Sequence, residues 1–283
     1  MSFPYSLNCH GRLFSLARPQ VMGILNLTPD SFYADSRKQS EAEIIERVQA
    51  IIAQGGTMID VGAYSSRAGA DDVPAEEEMA RLRRGLSLLR REAPEAIVSV
   101  DTFRADVARM CVEEFGVDII NDISGGEMDH RMFQTVARLG VPYILMHMQG
   151  TPSTMQQDPT YDNLLAEMAL YFSRRIDRLH SLGVNDIILD PGFGLGFGKT
   201  LAHNYHLMAH LSDFAAFDLP LLVGVSRKTM IYRLLDLTPS ESLNGTTALH
   251  MASLLAGAHI LRVHDVAEAV QTVKIHQAIA EAR

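Results

Sequence analysis

The sequence predicts a single α/β domain folded as a (β/α)8 TIM barrel with a short N-terminal hairpin, and three observations support this prediction. First, short apolar runs recur along the 283 residues, and most are followed by a stretch with helical spacing. Second, these runs are rich in Ile, Val and Leu on both faces, which is typical of parallel strands covered by helices. Third, roughly eight strand and helix units fit the length of about 250 residues that such a barrel needs. An open doubly wound sheet would give a similar pattern, but the number of units favours the barrel.

The predicted elements follow one another in a regular order within one domain over 1–283. Residues 1–19 form the hairpin extension, with a turn near His10 and Gly11, and this hairpin is expected to close the barrel floor. The eight predicted barrel strands are VMGILN to Asn26, TMIDVG around Asp60, IVSVD to Asp101, DIIND to Asn121 and Asp122, YILMH to His147, IILD to Asp190, LLVGVSRK to Lys228 and ILRVH to Arg262 and His264. Helices are predicted over 41–54, 75–92, 104–115, 129–139, 161–182, 200–217, 242–256 and 265–281. Long loops without regular structure are predicted over 27–40, 63–74 and 148–160.

The composition restricts the classes of function that the chain can have. Hydrophobic residues make up 47% of the chain, which allows a sizeable core, and no run of about 18 apolar residues is present to span a membrane. The first residues lack a basic segment followed by an apolar one, so we expect a cytoplasmic protein. A net charge of −9 argues against nucleic acid as a partner. Cys9 and Cys111 lack the spacing of a zinc site, and Cys111 is expected to be buried on a helix face.

Polar residues end several of the predicted strands. The carboxyl ends of barrel strands lie on one rim, so Asp101, Asn121 and Asp190 are expected to lie together. Each aspartate alone could cap the following helix or act as a general acid or base. Together with Asn121, the two carboxylates would form an acceptor-rich surface for a flat heterocycle with several N–H donors. His147 has no second ligand at metal spacing and is expected to be a hydrogen-bonded histidine at a strand end.

Cationic residues end the last two predicted strands. Lys228, Arg262 and His264 lie where barrels of this class usually bind phosphate. The alternative interpretation is a set of solvated rim charges paired with Asp265. Arg262 and His264 alternate with Val263 and therefore point to one side of their strand, and a basic pair that faces a barrel interior is too costly to be incidental. We therefore expect an oxyanion site here.

The segment 190–200, DPGFGLGFGKT, invites two nucleotide-binding interpretations and fits neither. A P-loop requires a glycine where this chain has Phe193, and the dinucleotide motif requires a third glycine after Gly194 or Gly196 that is absent. The remaining interpretation is a flexible glycine loop after Asp190. Such a loop is either a plain turn or a segment whose backbone approaches a flat ligand.

The chain resembles the dihydropteroate synthase family from Val21 to about Ile275. The matching segments, in order, are GILNLTPDSF at 23–32, IDVGAYSSRAGA at 59–70, SVDTFRADV at 99–107, IINDISGG at 119–126, MHMQGTP at 146–152, LDPGFG at 189–194, LLVGVSRK at 221–228 and RVHDV at 262–266. A single segment of this kind would be weak support. Eight segments in the correct order are a specific match.

The resemblance implies an enzyme of folate biosynthesis that joins 6-hydroxymethyl-7,8-dihydropterin pyrophosphate to p-aminobenzoate and releases pyrophosphate with the help of Mg²⁺. The family pattern assigns Asp101, Asn121, Asp190 and Lys228 to the pterin, Asn26, Arg262 and His264 to the pyrophosphate, Asn26 to the metal, Ser66, Arg67, Thr229, Phe193 and Phe197 to the aminobenzoate, and Thr28, Pro29, Asp30, Ser31 and Phe32 to a loop lid. The electron-rich pterin can delocalise the cation that forms, and the aniline nitrogen is already nucleophilic. We therefore expect binding and electrostatic roles, with no residue acting covalently. The family also suggests a homodimer.

Two departures from the family pattern concern the aminobenzoate subsite. The second loop reads Ser66-Arg67-Ala68 where the family usually has Thr-Arg-Pro. The glycine loop is two residues longer than the usual DPGFGFGK, which leaves open whether Phe193 or Phe197 lines the subsite. We expect these changes to alter sulfonamide sensitivity. Two other functions stay open from the sequence: a pterin methyltransferase that works with a corrinoid partner, and a pterin-binding homologue without catalytic activity.

Overall fold

The N-terminal hairpin is present. The computed structural model describes residues 5–27, 34–64, 73–150 and 159–282, without the side chains of 34–40. Strands β1 (Ser6–Cys9) and β2 (Arg12–Ser15) pair antiparallel. His10 and Gly11 make the turn with φ angles of 52° and 81°, a left-handed conformation that glycine adopts without strain.

Eight parallel strands in the described part of the chain form the barrel. They are β3 (Gln20–Asn26), β4 (Met58–Gly62), β5 (Ile97–Asp101), β6 (Ile119–Asp122), β7 (Tyr143–Met146), β8 (Ile187–Asp190), β9 (Leu222–Val223) and β10 (Ile260–Val263). Their order in the sheet is β8-β7-β6-β5-β4-β3-β10-β9. A parallel bridge between Leu189 and Leu221 joins the two outer strands, and the Leu189 amide donates to the Pro220 carbonyl at 2.9 Å. This contact closes the sheet and confirms the (β/α)8 barrel.

The helices cover the outside of the barrel. They are α1 (Ala34–Ala53), α2 (Ala75–Glu92), α3 (Ala105–Phe115), α4 (Met132–Leu139), α5 (Leu164–Ser181), α6 (Leu201–Ala209), α7 (Thr229–Leu235), α8 (Leu243–Leu255) and α9 (Val266–Glu281). None of the helices within the described ranges has the length and apolar character needed to cross a lipid bilayer.

Three predicted segments were wrong in their bounds. The strand predicted to run to Lys228 ends at Val223, and the chain then forms α7 from Thr229, a helix that the sequence pattern did not predict. The loop predicted over 27–40 is too long, because α1 begins at Ala34 in a stretch rich in good helix formers such as Lys, Gln and Glu. The helix predicted over 200–217 is interrupted, because the backbone of His210 leaves the helical region with φ −112° and ψ 17°. A 3-10 helix over Leu211–Phe217 follows.

The hairpin closes the amino end of the barrel, as predicted. Leu7, Cys9 and Leu16 are buried against a ring of inward-facing side chains, one from each barrel strand. The ring consists of Met22, Met58, Ile97, Ile119, Ile144, Ile188, Leu222 and Ile260. The other cysteine, Cys111, is buried on α3 in the core between the sheet and the helices, and burial raises its pKa. Because these apolar side chains fill the amino end of the barrel, a ligand would reach the interior from the carboxyl ends of the strands.

The hairpin should contribute measurably to stability. Leu7 is 1% exposed and Leu13 of the same hairpin is 74% exposed. We expect Leu7→Ala to lower the free energy of unfolding by about 2–5 kcal/mol, because truncating a buried leucine loses apolar contact and leaves a cavity. Leu13→Ala is the matched control and should change it by less than about 0.5 kcal/mol. Urea unfolding of both variants tests this prediction. If Leu7→Ala changed the free energy of unfolding as little as Leu13→Ala does, the hairpin would not unfold together with the barrel.

Candidate active site

Alternation along the strands directs polar side chains into the mouth of the barrel. Successive residues of a strand point to opposite faces, so Asp60 lies two positions above the floor residue Met58 on the inner face of β4. On β5 the same alternation turns Ser99 and Asp101 inward. The strand register aligns Asp60 with Ser99, and Asp101 with Asn121. Three neighbouring strands therefore contribute two carboxylates, a hydroxyl and an amide to one surface.

Arg262 of β10 reaches across the mouth to this surface. Its Nε donates to Asp60 Oδ2 at 2.6 Å, and its Nη2 donates to Asp101 Oδ2 at 3.2 Å. Asn121 Nδ2 donates to the same Asp60 oxygen at 3.2 Å. One largely buried guanidinium thus neutralises part of the charge of two carboxylates.

The alternative interpretation of Arg262 as a rim charge paired with Asp265 is wrong. Asp265 is instead held by Arg227, whose Nε and Nη2 each donate to one carboxylate oxygen at 2.8 Å. Arg227 Nη1 also donates to the carbonyls of Pro239 and Ser240. Arg227 therefore fixes the loop after β9, and Arg262 points into the barrel interior.

Several polar atoms of the mouth have no hydrogen-bond partner among the described residues. They are Asp60 Oδ1, Ser99 Oγ and Asn121 Oδ1, all buried. Leaving a buried polar group without a partner is costly, so such atoms point to a bound ligand or water. The sequence interpretation did not assign Asp60 and Ser99 to the site. Asp60 follows the floor residue Met58 by two positions and Ser99 follows Ile97 by two positions. This spacing was the signal that would have identified them.

Burial perturbs the ionisable groups of the mouth. It raises the pKa of Asp101 to about 7, although the charge of Arg262 acts in the opposite direction. Burial also raises the pKa of Asp190, whose Oδ1 accepts from the Gly192 amide at 2.8 Å. The ammonium of Lys228 is desolvated as well, and its pKa falls to about 8 despite the attraction of Asp190. Strongly perturbed groups that share a cleft are typical of a functional site.

Lys228 enters the mouth from the loop after β9. Its Nζ donates to the carbonyl of Phe193 and lies 4.9 Å from the centre of the Phe197 ring. A Cβ placed on Gly224 would lie 3.8 Å from Lys228 Nζ and 3.9 Å from Arg262 Cβ. The side chains of Lys228 and Arg262 therefore both lie next to this glycine, and the charge of Arg262 contributes to the lowered pKa of Lys228, so the structure brings the two residues together as the sequence predicted.

The family comparison completes the assignment. The pterin binding enzyme family matches residues 22–264 of the chain. Dihydropteroate synthase from Escherichia coli (strain K12) is 42% identical over 279 residues, which cover 98% of this chain and 97% of that protein. The chain belongs to the dihydropteroate synthase family of pterin-binding enzymes. Members of this family are transferases of folate biosynthesis, which confirms the predicted class of enzyme.

Solved structures of this family agree with the barrel. The dihydropteroate synthase of Yersinia pestis in complex with a sulfonamide drug gives a TM-score of 0.90 at 40% identity, covering 99% of this chain and 100% of that one. The dihydropteroate synthase of Xanthomonas albilineans with 4-aminobenzoic acid gives a TM-score of 0.88 at 34% identity, covering 98% of this chain and 99% of that one. At these levels of identity the similarity extends beyond the fold to the family.

The two phenylalanines of the glycine loop lie in different environments. Phe193 is 0% exposed and its ring packs in the core outside the barrel, so only its carbonyl meets the mouth. Phe197 packs on Ile123, Met146 and Met148 and lies next to the ammonium of Lys228. Of the two rings, the one at the mouth is Phe197.

The remaining predicted residues lie around the rim. A Cβ on Gly62 would lie 3.7 Å from Asn26 Oδ1 and 4.0 Å from Asp101 Oδ2, so Asn26 faces the carboxylate cluster. The amide of His264 donates to Ser226 Oγ at 3.1 Å, which fixes that residue just after β10. Partial desolvation and then the charge of Arg262 lower the pKa of His264. Thr229 begins α7, and its hydroxyl lies 2.7 Å from the Tyr232 hydroxyl.

Some of the predicted site residues lie outside the described residues. These are the lid residues Thr28, Pro29, Asp30, Ser31 and Phe32 and the second-loop residues Ser66 and Arg67. Both segments directly follow barrel strands, β3 and β4, so their described neighbours lie at the rim.

The oxygen donors of the site fit a metal that arrives with the substrate. Within the ranges that the structure describes, no three His, Cys, Asp or Glu side chains converge as a metal site of the protein's own. Asn26 does place an amide oxygen beside a carboxylate. Mg²⁺ keeps several waters and usually binds through one or two protein oxygens together with substrate phosphates. An amide oxygen and a carboxylate of this kind are ligands that Mg²⁺ can accept.

The raised pKa of Asp101 predicts a pH-dependent effect on stability. Its pKa is about 7 in the folded protein against an ordinary value of 3.8, so the folded state binds this proton more tightly than the unfolded state. The contribution of this group to the free energy of unfolding therefore falls as the pH rises from about 4 to about 7. We expect the stability of Asp101→Asn relative to the wild type to be higher at pH 8 than at pH 5 when both proteins are unfolded with urea. Asp106→Asn, an exposed change on α3, is the control, and an equal difference for both variants would contradict the buried-charge argument.

Proposed function

We propose that the protein condenses 6-hydroxymethyl-7,8-dihydropterin pyrophosphate with p-aminobenzoate to give 7,8-dihydropteroate and pyrophosphate. The observation that carries this proposal is the mouth itself, where unpartnered acceptor atoms of Asp60 and Asn121 lie beside the cation Arg262, whose charge also acts on Lys228. A flat ring with several N–H donors and an anionic leaving group matches both halves of that surface.

The pterin would occupy the inner part of the mouth. Asp101, Asn121 and Asp190 present the acceptors that the N–H groups of a pterin edge require, and Lys228 presents a donor to its acceptor atoms. Hydrogen bonds to charged groups contribute about 1.5–3 kcal/mol each. The same bonds also orient the exocyclic carbon toward the rim, where the bond to pyrophosphate is broken.

The leaving group would lie on the outer side of the pterin, within reach of Arg262, His264 and Asn26. Its carbon–oxygen bond breaks with the electron pair moving to the pyrophosphate, and the cation that remains is delocalised over the pterin. The aniline nitrogen then forms the new carbon–nitrogen bond and loses one proton. Mg²⁺ bound to the pyrophosphate would neutralise part of the departing charge. The protein's own contribution is electrostatic, through Arg262 and Lys228, together with the positioning of the two substrates.

The aminobenzoate would bind on the outer side of the pterin. The Phe197 ring supplies an apolar surface, while Thr229 at the start of α7 supplies a hydroxyl for a carboxylate. The loops that carry Ser66, Arg67 and the 28–32 lid are assigned to the same subsite by the family pattern. In support, the dihydropteroate synthase from X. albilineans was solved with 4-aminobenzoic acid.

The proposal is tested by mixing the pterin pyrophosphate and p-aminobenzoate with the protein and Mg²⁺. Stoichiometric release of pyrophosphate with formation of dihydropteroate supports it. A pterin-binding homologue without activity would bind the first substrate and release nothing. A methyltransferase would use a methylated pterin and a corrinoid partner and would not require the aminobenzoate.

The altered loops lead to a specific expectation for sulfonamides, which imitate the aminobenzoate. A 3-10 turn over Leu195–Phe197 occupies the part of the glycine loop that is longer than the family pattern. We expect deletion of Leu195 and Gly196 together with Ala68→Pro to lower the ratio of sulfonamide Ki to aminobenzoate KM by roughly tenfold, or about 1.4 kcal/mol. The deletion alone and the substitution alone are the controls. An unchanged ratio would reject a role of these loops in drug discrimination.

A homodimer in the cytoplasm completes the proposal. Exposed apolar side chains are concentrated on the neighbouring helices α7, α8 and α9, and they include Leu234, Leu235, Leu255, Ile275 and Ile279. Clustered exposed apolar side chains often mark a protein interface. Light scattering at micromolar concentration tests the dimer, and Leu255→Glu with Ile275→Glu should shift it to the monomer. A wild-type monomer would contradict this part of the proposal.

A further inference from the structure

Lys199 is a buried lysine that the proposed reaction does not use. It is 1% exposed, and its ammonium lies among three acceptors: His147 Nδ1 at 3.0 Å, the His147 carbonyl at 3.2 Å and the Phe197 carbonyl at 3.4 Å. An ammonium has three hydrogens to donate, so these contacts satisfy it. The cation thereby ties the end of β7 to the glycine loop.

The glycine loop lies so close to the segment after β7 that only glycine fits at two positions. A Cβ on Gly192 would lie 2.1 Å from the His147 carbonyl oxygen, and a Cβ on Gly198 would lie 2.7 Å from the Gln149 carbonyl oxygen. The Tyr161 hydroxyl also donates to the Gly198 carbonyl at 2.7 Å. The side chain of Lys199 lies at the centre of this seam, where burial lowers its pKa to about 7.

The loop that Lys199 anchors carries two contacts to Lys228. The carbonyl of Phe193 accepts from Lys228 Nζ, and the ring of Phe197 lies 4.9 Å from it. The first contact is close to where the loop leaves Asp190, whose carboxylate is separately fixed by the Gly192 amide. The second contact lies at the far end of the loop, next to the carbonyl that Lys199 binds.

We propose that Lys199 is a positioning residue that holds the Phe197 ring in place and thereby sets the affinity for the second substrate without changing the affinity for the pterin. The inference rests on the proposed function, because it concerns the aminobenzoate subsite of that reaction. Lys199 acts through the Phe197 carbonyl and does not touch the reacting atoms. Of the residues assigned to the pterin, Asp101 lies on β5, two strands away from the seam at the end of β7. Asp190 and Lys228 lie nearer, but they are held by the Gly192 amide and the Phe193 carbonyl rather than by Lys199.

The substitution Lys199→Met tests this inference because it keeps the length of the side chain and removes all three donors. We expect the KM for aminobenzoate to rise about tenfold, as for the loss of one or two hydrogen bonds. The kcat at saturating aminobenzoate and the Kd for the pterin pyrophosphate should stay within about twofold. Lys274→Met, an exposed change of the same charge on α9, should alter none of these quantities.

A double-mutant cycle with Phe197→Ala separates positioning from general stability. If Lys199 acts through Phe197, the effect of Lys199→Met on the KM should largely vanish in the Phe197→Ala background. Full additivity would overturn the inference, as would an equal loss of pterin affinity. If Lys199→Met does not fold, Lys199→Gln keeps two donors and should show a smaller rise in the same KM. Failure of the wild type to release pyrophosphate would instead reject the proposed function, whereas an unchanged KM in an active variant rejects only this inference.

Discussion

Replacing Arg262 with methionine should lower the free energy of unfolding by about 3 kcal/mol and reduce the rate of condensation by roughly 100-fold or more. The loss of stability follows because Asp60 and Asp101 both bind this guanidinium, at 2.6 and 3.2 Å. Without it, two carboxylates would face each other in a buried mouth. The loss of rate follows from the proposed reaction, in which the same cation would stabilise the negative charge that develops on the leaving pyrophosphate.

Urea unfolding and pyrophosphate release measure these two effects separately. Arg83→Met is the matched control, because Arg83 forms an exposed ion pair with Glu114 at 2.7 Å on the outer surface. Exposed pairs of this kind contribute at most about 1 kcal/mol. The control should therefore retain both stability and activity.

Removal of the two carboxylates should restore the stability of the Arg262→Met variant. In the triple variant Arg262→Met, Asp60→Asn, Asp101→Asn no buried charge is left without a partner, so the free energy of unfolding should return toward the wild-type value. Activity should stay low, because the cation and both carboxylates are missing. If the triple variant were no more stable than Arg262→Met alone, the repulsion between the carboxylates would not be the cause of the instability.

Replacing Asp101 with alanine should reduce the affinity for the pterin pyrophosphate by roughly 100-fold, the largest effect on binding that we expect from a single carboxylate. In the proposed reaction this side chain would present an acceptor to the pterin ring, and it also accepts a hydrogen bond from Arg262 at 3.2 Å. At pH 8 the free energy of unfolding should not fall as it does for Arg262→Met, because removing a charge that burial disfavours offsets the lost contact with Arg262.

Calorimetry of pterin pyrophosphate binding with and without Mg²⁺ measures this effect. Asp106→Ala removes the same charge from the surface of α3 and should leave binding unchanged. Binding of the hydroxymethyl pterin without pyrophosphate distinguishes the pterin subsite from the pyrophosphate subsite. Asp101→Ala should weaken the binding of both ligands, whereas Arg262→Met should weaken mainly the binding of the ligand that carries pyrophosphate. Retention of affinity within about threefold by Asp101→Ala would remove this residue from the pterin subsite.

The glycine loop shows where interpretation from the sequence stopped. The letters DPGFGLGFGK place two phenylalanines four positions apart, and nothing local distinguishes them. In the structure Phe193 is in the outer core and Phe197 is at the mouth. The difference arises because the chain turns between the two rings, at Gly194 with a φ angle of 130° and in the 3-10 turn Leu195–Phe197.

By itself the sequence determined the barrel, the sealed floor and the polar residues at the strand ends. These features depend on apolar spacing and on the alternation of side chains along each strand, which are local properties. Only the tertiary structure decided the partners: Arg262 binds Asp60, which is 202 positions away, and Lys199 binds His147 across a loop. The physical reason is that such contacts depend on which strands become neighbours and on their register when the sheet closes. Each buried charge then pairs with the group that best offsets its loss of hydration.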